Sequence, residues 1–188
     1  MKNTIRGFIA LELSPKLREE LEKIQKKLKH LSGEISWTIP NNLHLSVYFL
    51  GNISQEQISI VKAIKENIAK KIKSFPIALG VLGVFPFKQE HQVLWAGISS
   101  GYSQITQINT LFSKELKAIN IKAGDKHFHP HITLARIKSL QNKTELTEII
   151  DNMKLSIANE ELHKLVLYKS ELNSSGAIYS KISEVELG

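Results

Sequence analysis

Residues 44–50 read His-Leu-Ser-Val-Tyr-Phe-Leu, and residues 131–137 read His-Ile-Thr-Leu-Ala-Arg-Ile. The two segments share one pattern: a histidine, an aliphatic residue, a hydroxyl residue, a second aliphatic residue, two variable positions and a last aliphatic residue. Each segment follows an amphipathic helical pattern and a short loop. We interpret this repeat as two similar half-units placed back to back.

Both segments have the composition of β-strands, in which alternate side chains share a face. His44 and Ser46 then point one way, and Leu45, Val47 and Phe49 point the other way. The same parity puts Tyr48 beside His44. In the second copy His131 and Thr133 share a face. If these two faces meet, two imidazoles and two hydroxyls converge in one cleft.

The rest of the chain alternates between helical and strand patterns without a Gly/Ser-rich linker, so we expect residues 1–188 to form a single domain. Ser54 and Gln57 form a capping box ahead of the second helical pattern. Residues 37–40 are expected to cross between elements, and Gly33 to close the first helix. Predicted helices cover residues 17–31, 55–72, 105–119 and 143–152; predicted strands cover 5–13, 43–50, 77–84, 92–98, 131–137, 163–172 and 177–185. Turns are expected at residues 86–90 and 173–176.

Composition narrows the function classes. The chain has 188 residues, 42% of them hydrophobic, and no cysteine, which excludes disulfides, thiolate metal sites and a cysteine nucleophile. No apolar run approaches a membrane span and the first residues lack a signal-peptide pattern, so we expect a cytoplasmic protein that does not bind membranes. The formal net charge of +7 favours an anionic partner such as nucleic acid, although a lysine-rich solvated surface gives the same number.

The two His–hydroxyl pairs suit in-line displacement at phosphorus. Such a reaction needs a base for the nucleophile and an acid for the leaving oxygen, on opposite sides of the phosphorus atom, and histidine performs either task near neutral pH. The hydroxyls of Ser46 and Thr133 can donate to the non-bridging oxygens, where charge builds up. The scheme needs no metal and no cofactor, and we expect none.

The chain resembles the two-histidine phosphoesterases, in particular the bacterial and archaeal RNA 2′,3′-cyclic phosphodiesterases, also called 2′–5′ RNA ligases. The resemblance runs from about residue 5 to residue 185. It is carried by residues 6–11 (RGFIAL), 42–46 (NLHLS), 49–51 (FLG) and 128–136 (FHPHITLAR), with further likeness at 83–86 (GVFP), 93–95 (VLW) and 167–168 (LY).

The resemblance implies an α+β, bilobal fold in which two pseudo-symmetric antiparallel sheets line a central cleft, with the helices outside. It also implies metal-independent hydrolysis of an RNA terminal 2′,3′-cyclic phosphate to a 2′-phosphate. Ser46 departs from the family, which more often has threonine there, but the hydroxyl is retained. From the family and from the geometry of displacement together, we expect His131 to be the general base and a protonated His44 to be the general acid.

Two further residues are predicted to bind substrate. Arg136 suits phosphate because its guanidinium forms paired hydrogen bonds, but strand parity turns it away from His131 unless a bulge intervenes. Phe8 is a candidate contact for the nucleoside, with core packing as the alternative. His127, His129 and His131 have spacing that could hold zinc, which Pro130 argues against.

Three functions from different classes remain open. The favoured one is a hydrolase acting on RNA ends that carry a 2′,3′-cyclic phosphate. The second is a 2′–5′ ligase, in which a 5′-hydroxyl replaces water at the same four groups. The third is a non-catalytic RNA-binding module, which would tolerate alanine at both histidines. We expect a monomer without an obligate protein partner.

Overall fold

The structure is a computed structural model that describes residues 4–85, 92–121, 128–173 and 176–188. These residues form four α-helices and nine β-strands. The helices are α1 (Pro15–Leu28), α2 (Gln55–Ala69), α3 (Tyr102–Ala118) and α4 (Lys143–Asn152). The strands are β1 (Thr4–Leu11), β2 (Gly33–Trp37), β3 (Leu45–Ser54), β4 (Phe75–Phe85), β5 (Gln92–Ser100), β6 (His131–Leu140), β7 (Lys154–Leu162), β8 (Lys164–Asn173) and β9 (Gly176–Glu186).

The strands form two antiparallel halves that meet along one seam. Their order is β7-β4-β5-β6-β3-β1-β8-β9, and β2 also pairs with β6. Between β3 and β6 a single residue pair, Leu45 with Ile132, is in register, so the halves are continuous there through a narrow junction. The predicted α+β class and the two antiparallel halves are confirmed. The seam lies beside the two His–hydroxyl segments.

The helices begin where the sequence provides caps. The Ser14 hydroxyl accepts from the Leu17 N–H at 3.0 Å, with Pro15 at the first helical position of α1. The capping box at α2 is confirmed, because Ser54 and Gln57 each accept from the other's backbone N–H. Helix α4 matches the predicted residues 143–152. Within the described residues, no helix is long and apolar enough to cross a membrane.

The two faces of the sheet differ in what they bury. The main core lies on the helix side and includes Ile9, Leu45, Phe112 and Leu134, each essentially inaccessible to solvent. A small second cluster, made of Phe8, Ala10, Val166 and Tyr168 with Tyr179 against it, lies apart from that core. The face away from the helices therefore carries aromatic and polar side chains instead of an aliphatic core.

Strands β2 and β7 are absent from the sequence-based prediction, which is wrong at both places. Residues 37–40 are predicted to form a crossing segment, yet Trp37 is the last residue of β2; Gly33 begins that strand, and α1 has already ended at Leu28. Both strands lie at edges of the sheet. No residue of β2 is fully buried, so its hydrophobic alternation is weak. Asn159 in β7 also has a positive φ of 58°, which interrupts the pattern. The turn at residues 86–90 and the middle of the turn at 173–176 lie outside the described residues.

Lys65 is a charged residue at a buried position on α2. The Lys65 side chain is fully buried, and its Nζ donates to the Ser183 hydroxyl on β9 at 3.0 Å. Burial lowers the pKa of Lys65 from 10.5 to about 8, opposed by the carboxylates of Glu66 and Glu184 and reinforced by Lys62. Keeping the Lys65 ammonium charged in the folded protein therefore lowers the free energy of unfolding.

The variant Lys65→Met should be more stable than the natural protein at pH 7, by roughly 1–3 kcal/mol, because it removes a buried charge. A lowered pKa for a base means that the unfolded chain binds more protons between pH 8 and 10.5. The natural protein's stability should therefore rise across that window relative to the variant. Urea unfolding of both proteins at pH 7, 8, 9 and 10 measures this difference, and a constant gap between them would contradict it.

Candidate active site

His44 lies directly before β3 and is held at both ring nitrogens. Its Nδ1–H donates to the Asn42 carbonyl at 2.6 Å, and its Nε2 is 2.9 Å from the Ser46 hydroxyl. Because a carbonyl only accepts, the proton of the neutral ring is on Nδ1. Nε2 then accepts from Ser46 and is the nitrogen available for proton transfer. The two residues share a face, as the alternation predicts.

His131 begins β6 and repeats this arrangement. Its Nδ1–H donates to the carbonyl of His129, two residues earlier, at 2.7 Å. Thr133 is half-buried, like His131, and the intervening Ile132 is fully buried in the core. The two halves thus hold their histidines in the same tautomer by the same local bond.

A β-bulge follows the hydroxyl residue in β3 and reverses the predicted parity beyond it. Ile9 and Ala10 of β1 pair with Tyr48 and Ser46, so Val47 is the extra residue. Val47 and Tyr48 are consecutive and both buried, and Tyr48 packs on Phe112 with ring centroids 6.2 Å apart. Phe49 is 43% exposed and lies near Phe8. The predicted position of Tyr48 beside His44 is therefore wrong, and Phe49 takes that face.

The same bulge occurs in β6 and decides the position of Arg136. Leu94 and Trp95 of β5 pair with Ala135 and Thr133, which leaves Leu134 as the extra residue. Leu134 and Ala135 are both buried, and Arg136 is exposed. Its charge lowers the pKa of His44, which places the guanidinium within electrostatic reach of the histidine cleft. The bulge on which the Arg136 prediction depends is present.

Aromatic rings surround His44 on the sheet face. Phe8 lies 4.8 Å from the imidazole centroid, Tyr168 lies 6.1 Å away, and Tyr179 meets the ring edge-on at 5.1 Å. We call Phe8, Tyr168 and Tyr179 the His44 wall. Phe8 is only 3% exposed and stacks on Tyr168 at 5.2 Å, so it supports the imidazole from below. A contact between Phe8 and the nucleoside stays a prediction.

The charge state of His44 in the free protein is governed by burial and by nearby positive charges. Burial lowers the pKa of His44 from 6.5 to about 4, opposed by its bond to the Asn42 carbonyl and reinforced by the positive charges of His131, Arg136 and Arg18. Arg18 is held near the cleft by Glu12, at 3.5 Å. His44 is therefore neutral at pH 7 in the free protein. The expectation that His44 begins the reaction protonated concerns the complex with substrate, and it stays a prediction.

Asn42 connects His44 to the far end of the sheet. It ends a short 3₁₀ turn, Pro40–Asn42, and its side-chain Nδ2 donates to the carbonyl of Ala177 in β9 at 2.7 Å. Ala177 is two residues from Tyr179, whose ring contacts His44 edge-on. One residue thus orients the imidazole through its carbonyl and anchors the adjoining strand through its amide. The sequence contains no signal for this role beyond the proximity of Asn42 to His44.

A zinc site at residues 127–131 finds no support in the described geometry. His127 lies outside the described residues, and His129 contacts aromatic rings. Among the residues described, no group of three or more His, Asp or Glu side chains is placed to hold a metal ion.

The aromatic residues of the cleft are largely missed by sequence reasoning. The sequence-based predictions place neither Trp95 nor Tyr179 in the cleft. Strand periodicity records which face a residue occupies, but both faces of this sheet carry large apolar side chains, so hydrophobicity alone does not separate core from cleft.

The fold, with its paired histidine and hydroxyl groups on one cleft, defines the class of two-histidine phosphoesterases. A family model described as "AKAP7 2'5' RNA ligase-like domain" matches residues 8–187. This chain belongs to that 2′5′ RNA ligase-like family.

Similar proteins span nearly the whole chain. The RNA 2′,3′-cyclic phosphodiesterase of Aquifex aeolicus is 35% identical over 192 residues, covering 98% of this chain and 98% of that protein. The protein of the same name from Methanocaldococcus jannaschii is 29% identical, covering 96% and 99%. The crystal structure of TT0787 from Thermus thermophilus superposes with a TM-score of 0.84 at 24% identity, covering 97% and 98%. LigT of Escherichia coli gives a TM-score of 0.78 at 20% identity, covering 97% of each chain.

Replacing Arg136 by methionine should raise the pKa of His44, because it removes a nearby positive charge that opposes the imidazolium. NMR titration of the His44 ring protons measures the change. Lys138→Met is the matched control, since Lys138 carries the same charge two residues later but pairs with Glu34 at 2.9 Å. An equal shift in both variants would show that the effect comes from net charge alone.

Replacing Asn42 by alanine should release the Ala177 contact and loosen the carbonyl that sets the His44 tautomer. We expect ¹⁵N NMR to show a mixture of His44 tautomers and kcat to fall about 10-fold, as for other lost orienting hydrogen bonds. Asn152→Ala is the control: on α4 its Nδ2 donates to the Glu148 carbonyl at 2.8 Å, so both variants lose one amide bond worth about 1 kcal/mol. Identical NMR spectra of His44 in both variants would exclude the orienting role.

Proposed function

We propose that this protein is an RNA 2′,3′-cyclic phosphodiesterase that hydrolyses a terminal cyclic phosphate to a 2′-phosphate. The observation that carries the proposal is the duplicated imidazole arrangement, in which each Nδ1 is fixed by the carbonyl two residues earlier and a hydroxyl residue follows two positions later. The names of its relatives agree with this activity. A cytoplasmic location is part of this proposal.

In the proposed reaction the cyclic phosphate lies between the two histidines. Nε2 of His131 takes a proton from water, the water oxygen attacks phosphorus, and the bond from phosphorus to the ribose 3′-oxygen breaks. Nε2–H of His44 protonates that oxygen, so one proton enters and one leaves the pair of imidazoles. The Ser46 and Thr133 hydroxyls and the Arg136 guanidinium donate to the non-bridging oxygens.

His44 must gain its proton when the substrate binds or after it has bound. In the free protein its pKa is about 4, because burial disfavours the charged ring and the positive charge of Arg136 disfavours it further. An anionic phosphate beside Nε2 favours the imidazolium and raises that pKa. Binding of the substrate thereby charges the acid, and a neutral His44 in the free protein is compatible with an acid role in the complex.

Alanine at His44 or at His131 should reduce turnover of a nucleoside 2′,3′-cyclic phosphate by about 10²–10⁴-fold, the usual contribution of one positioned proton donor or acceptor. The control is His163→Ala, because the His163 ring is half-exposed and lies 4.0 Å from the Glu186 carboxylate. Chromatography of the nucleotide product measures turnover, and circular dichroism of the same samples measures folding. Near-normal turnover in a folded His44 or His131 variant would favour a non-catalytic RNA-binding module.

A substrate with sulfur in place of the 3′-oxygen separates the acid from the base. A thiolate leaves with little protonation, so the variant that lacks the acid should recover much of its lost rate. We expect recovery in His44→Ala and none in His131→Ala. The opposite pattern would exchange the two roles, and recovery in neither would reject a division into one acid and one base.

A further inference from the structure

Each histidine of the cleft has its own group of aromatic rings, whereas a single terminal nucleotide has only one base to stack on them. The group beside His131 consists of Phe85, Trp95, Tyr102 and His129, which we call the Trp95 wall. Phe85 meets His131 edge-on at 5.1 Å, and Trp95 lies 6.3 Å from it. This wall belongs to β4, β5, the start of α3 and the segment before β6, and it shares no residue with the His44 wall.

The Trp95 wall depends on two glycines inside strands. A Cβ at Gly83 would overlap the Trp95 ring, and a Cβ at Gly97 would lie 2.8 Å from its Cζ3 atom. The indole therefore lies flat across the sheet, which only these two glycines permit. Glycine within a strand costs stability and often marks a close approach of a ligand or backbone. Phe85 extends the surface by stacking on Trp95 with centroids 4.8 Å apart and planes at 28°.

The outer part of the Trp95 wall is open to solvent. Tyr102 is 42% exposed, and His129 is exposed although its ring lies 5.0 Å from Trp95, 5.5 Å from Phe85 and 6.3 Å from Tyr102. A ring that serves only to pack the core is covered, as Phe112 is. An aromatic surface of mixed exposure beside a cationic cleft is the usual composition of a site for single-stranded nucleic acid.

We propose that the Trp95 wall is a second nucleobase subsite, so that the cleft holds two nucleosides, one on each side of the reacting phosphate. The proposal rests on the proposed function for the position of that phosphate. The second base has two possible sources. It belongs either to the penultimate nucleotide of the same RNA strand or to a separate strand whose 5′-hydroxyl replaces water.

For the second source the atoms balance without another reactant. The 5′-oxygen forms a bond to phosphorus and loses its proton to one imidazole. The bond from phosphorus to the 3′-oxygen breaks, and that oxygen takes a proton from the other imidazole. The product is a 2′–5′ phosphodiester with a free 3′-hydroxyl.

Trp95 itself can report the second base. The chain has two tryptophans, so Trp37→Phe leaves Trp95 as the sole indole. Its fluorescence is followed while adding a dinucleotide or a mononucleotide that ends in a 2′-phosphate, both of which are products and undergo no turnover. A base on the wall should quench Trp95, and the stack should add about 10-fold in affinity. The mononucleotide has no second base, so it should not quench Trp95, and quenching by the mononucleotide alone would overturn the proposal. The variant Trp95→Phe, which keeps Trp37, should show no such quenching.

A second arm distinguishes the two sources. If the mononucleotide alone does not quench Trp95 but addition of a nucleoside with a free 5′-hydroxyl does, the subsite takes the acceptor strand. If the dinucleotide alone quenches, it takes the penultimate base. Failure of every ligand to quench Trp95 at concentrations that saturate binding in equilibrium dialysis would overturn the proposal. This measurement needs no catalysis, so it stands even if the proposed hydrolysis is not observed.

Kinetics provide an independent test on an exposed residue. Tyr102→Ala should lower kcat/KM for a dinucleotide cyclic phosphate about 10-fold more than for a mononucleotide cyclic phosphate when the penultimate base is the ligand, since stacking on one ring is lost. When the acceptor is the ligand, the ratio of ligation to hydrolysis should fall instead. Equal losses for all substrates would mean that the ring only supports the fold, contrary to the proposal.

Discussion

The geometry of this cleft depends on one backbone constraint, a single extra residue after each His–hydroxyl pair. A regular strand would send the fifth residue after the histidine into the helix-side core. The bulges at Val47 and Leu134 place two consecutive residues in that core and return Phe49 and Arg136 to the cleft face. A charged guanidinium at a buried position would be very unfavourable, so the bulge in β6 and the identity of residue 136 are consistent with each other.

The second constraint is the bond from each Nδ1 to a carbonyl two residues earlier. It fixes the tautomer in which Nε2 faces the cleft, and it acts before any substrate arrives. The carbonyls are themselves anchored differently: Asn42 is tied to β9 by its amide, and His129 lies against a group of rings. The orientation of each imidazole therefore depends on contacts that its neighbouring residue makes with distant parts of the chain. The sequence around each histidine is for this reason insufficient to describe the site.

Much of the fold follows from periodicity and caps. The capping box at Ser54 and Gln57 locates α2, and the two repeated segments locate β3 and β6. Strand β2 escapes prediction because none of its residues is fully buried, and β7 because Asn159, with a positive φ, interrupts its alternation. At the site, the histidines and hydroxyls are predicted to share a face, and they do. Tyr48 is misplaced because a bulge leaves no mark in hydrophobicity, and the link from Asn42 to β9 is missed because its partner, Ala177, lies 135 residues away.

The two halves repeat one backbone but carry different side chains at matching positions, and this asymmetry gives the histidines different surroundings. Phe49 and Arg136 are each the fifth residue after a histidine. On one half the rings of Phe8, Tyr168 and Tyr179 enclose His44, and burial lowers its pKa to about 4. The other half supplies the guanidinium that opposes a charge on His44 when the cleft is empty and that, in the proposed reaction, binds the anion when it is occupied. A pseudo-symmetric fold thereby obtains two imidazoles suited to separate roles, because acid and base catalysis at one phosphorus atom require groups in different protonation states.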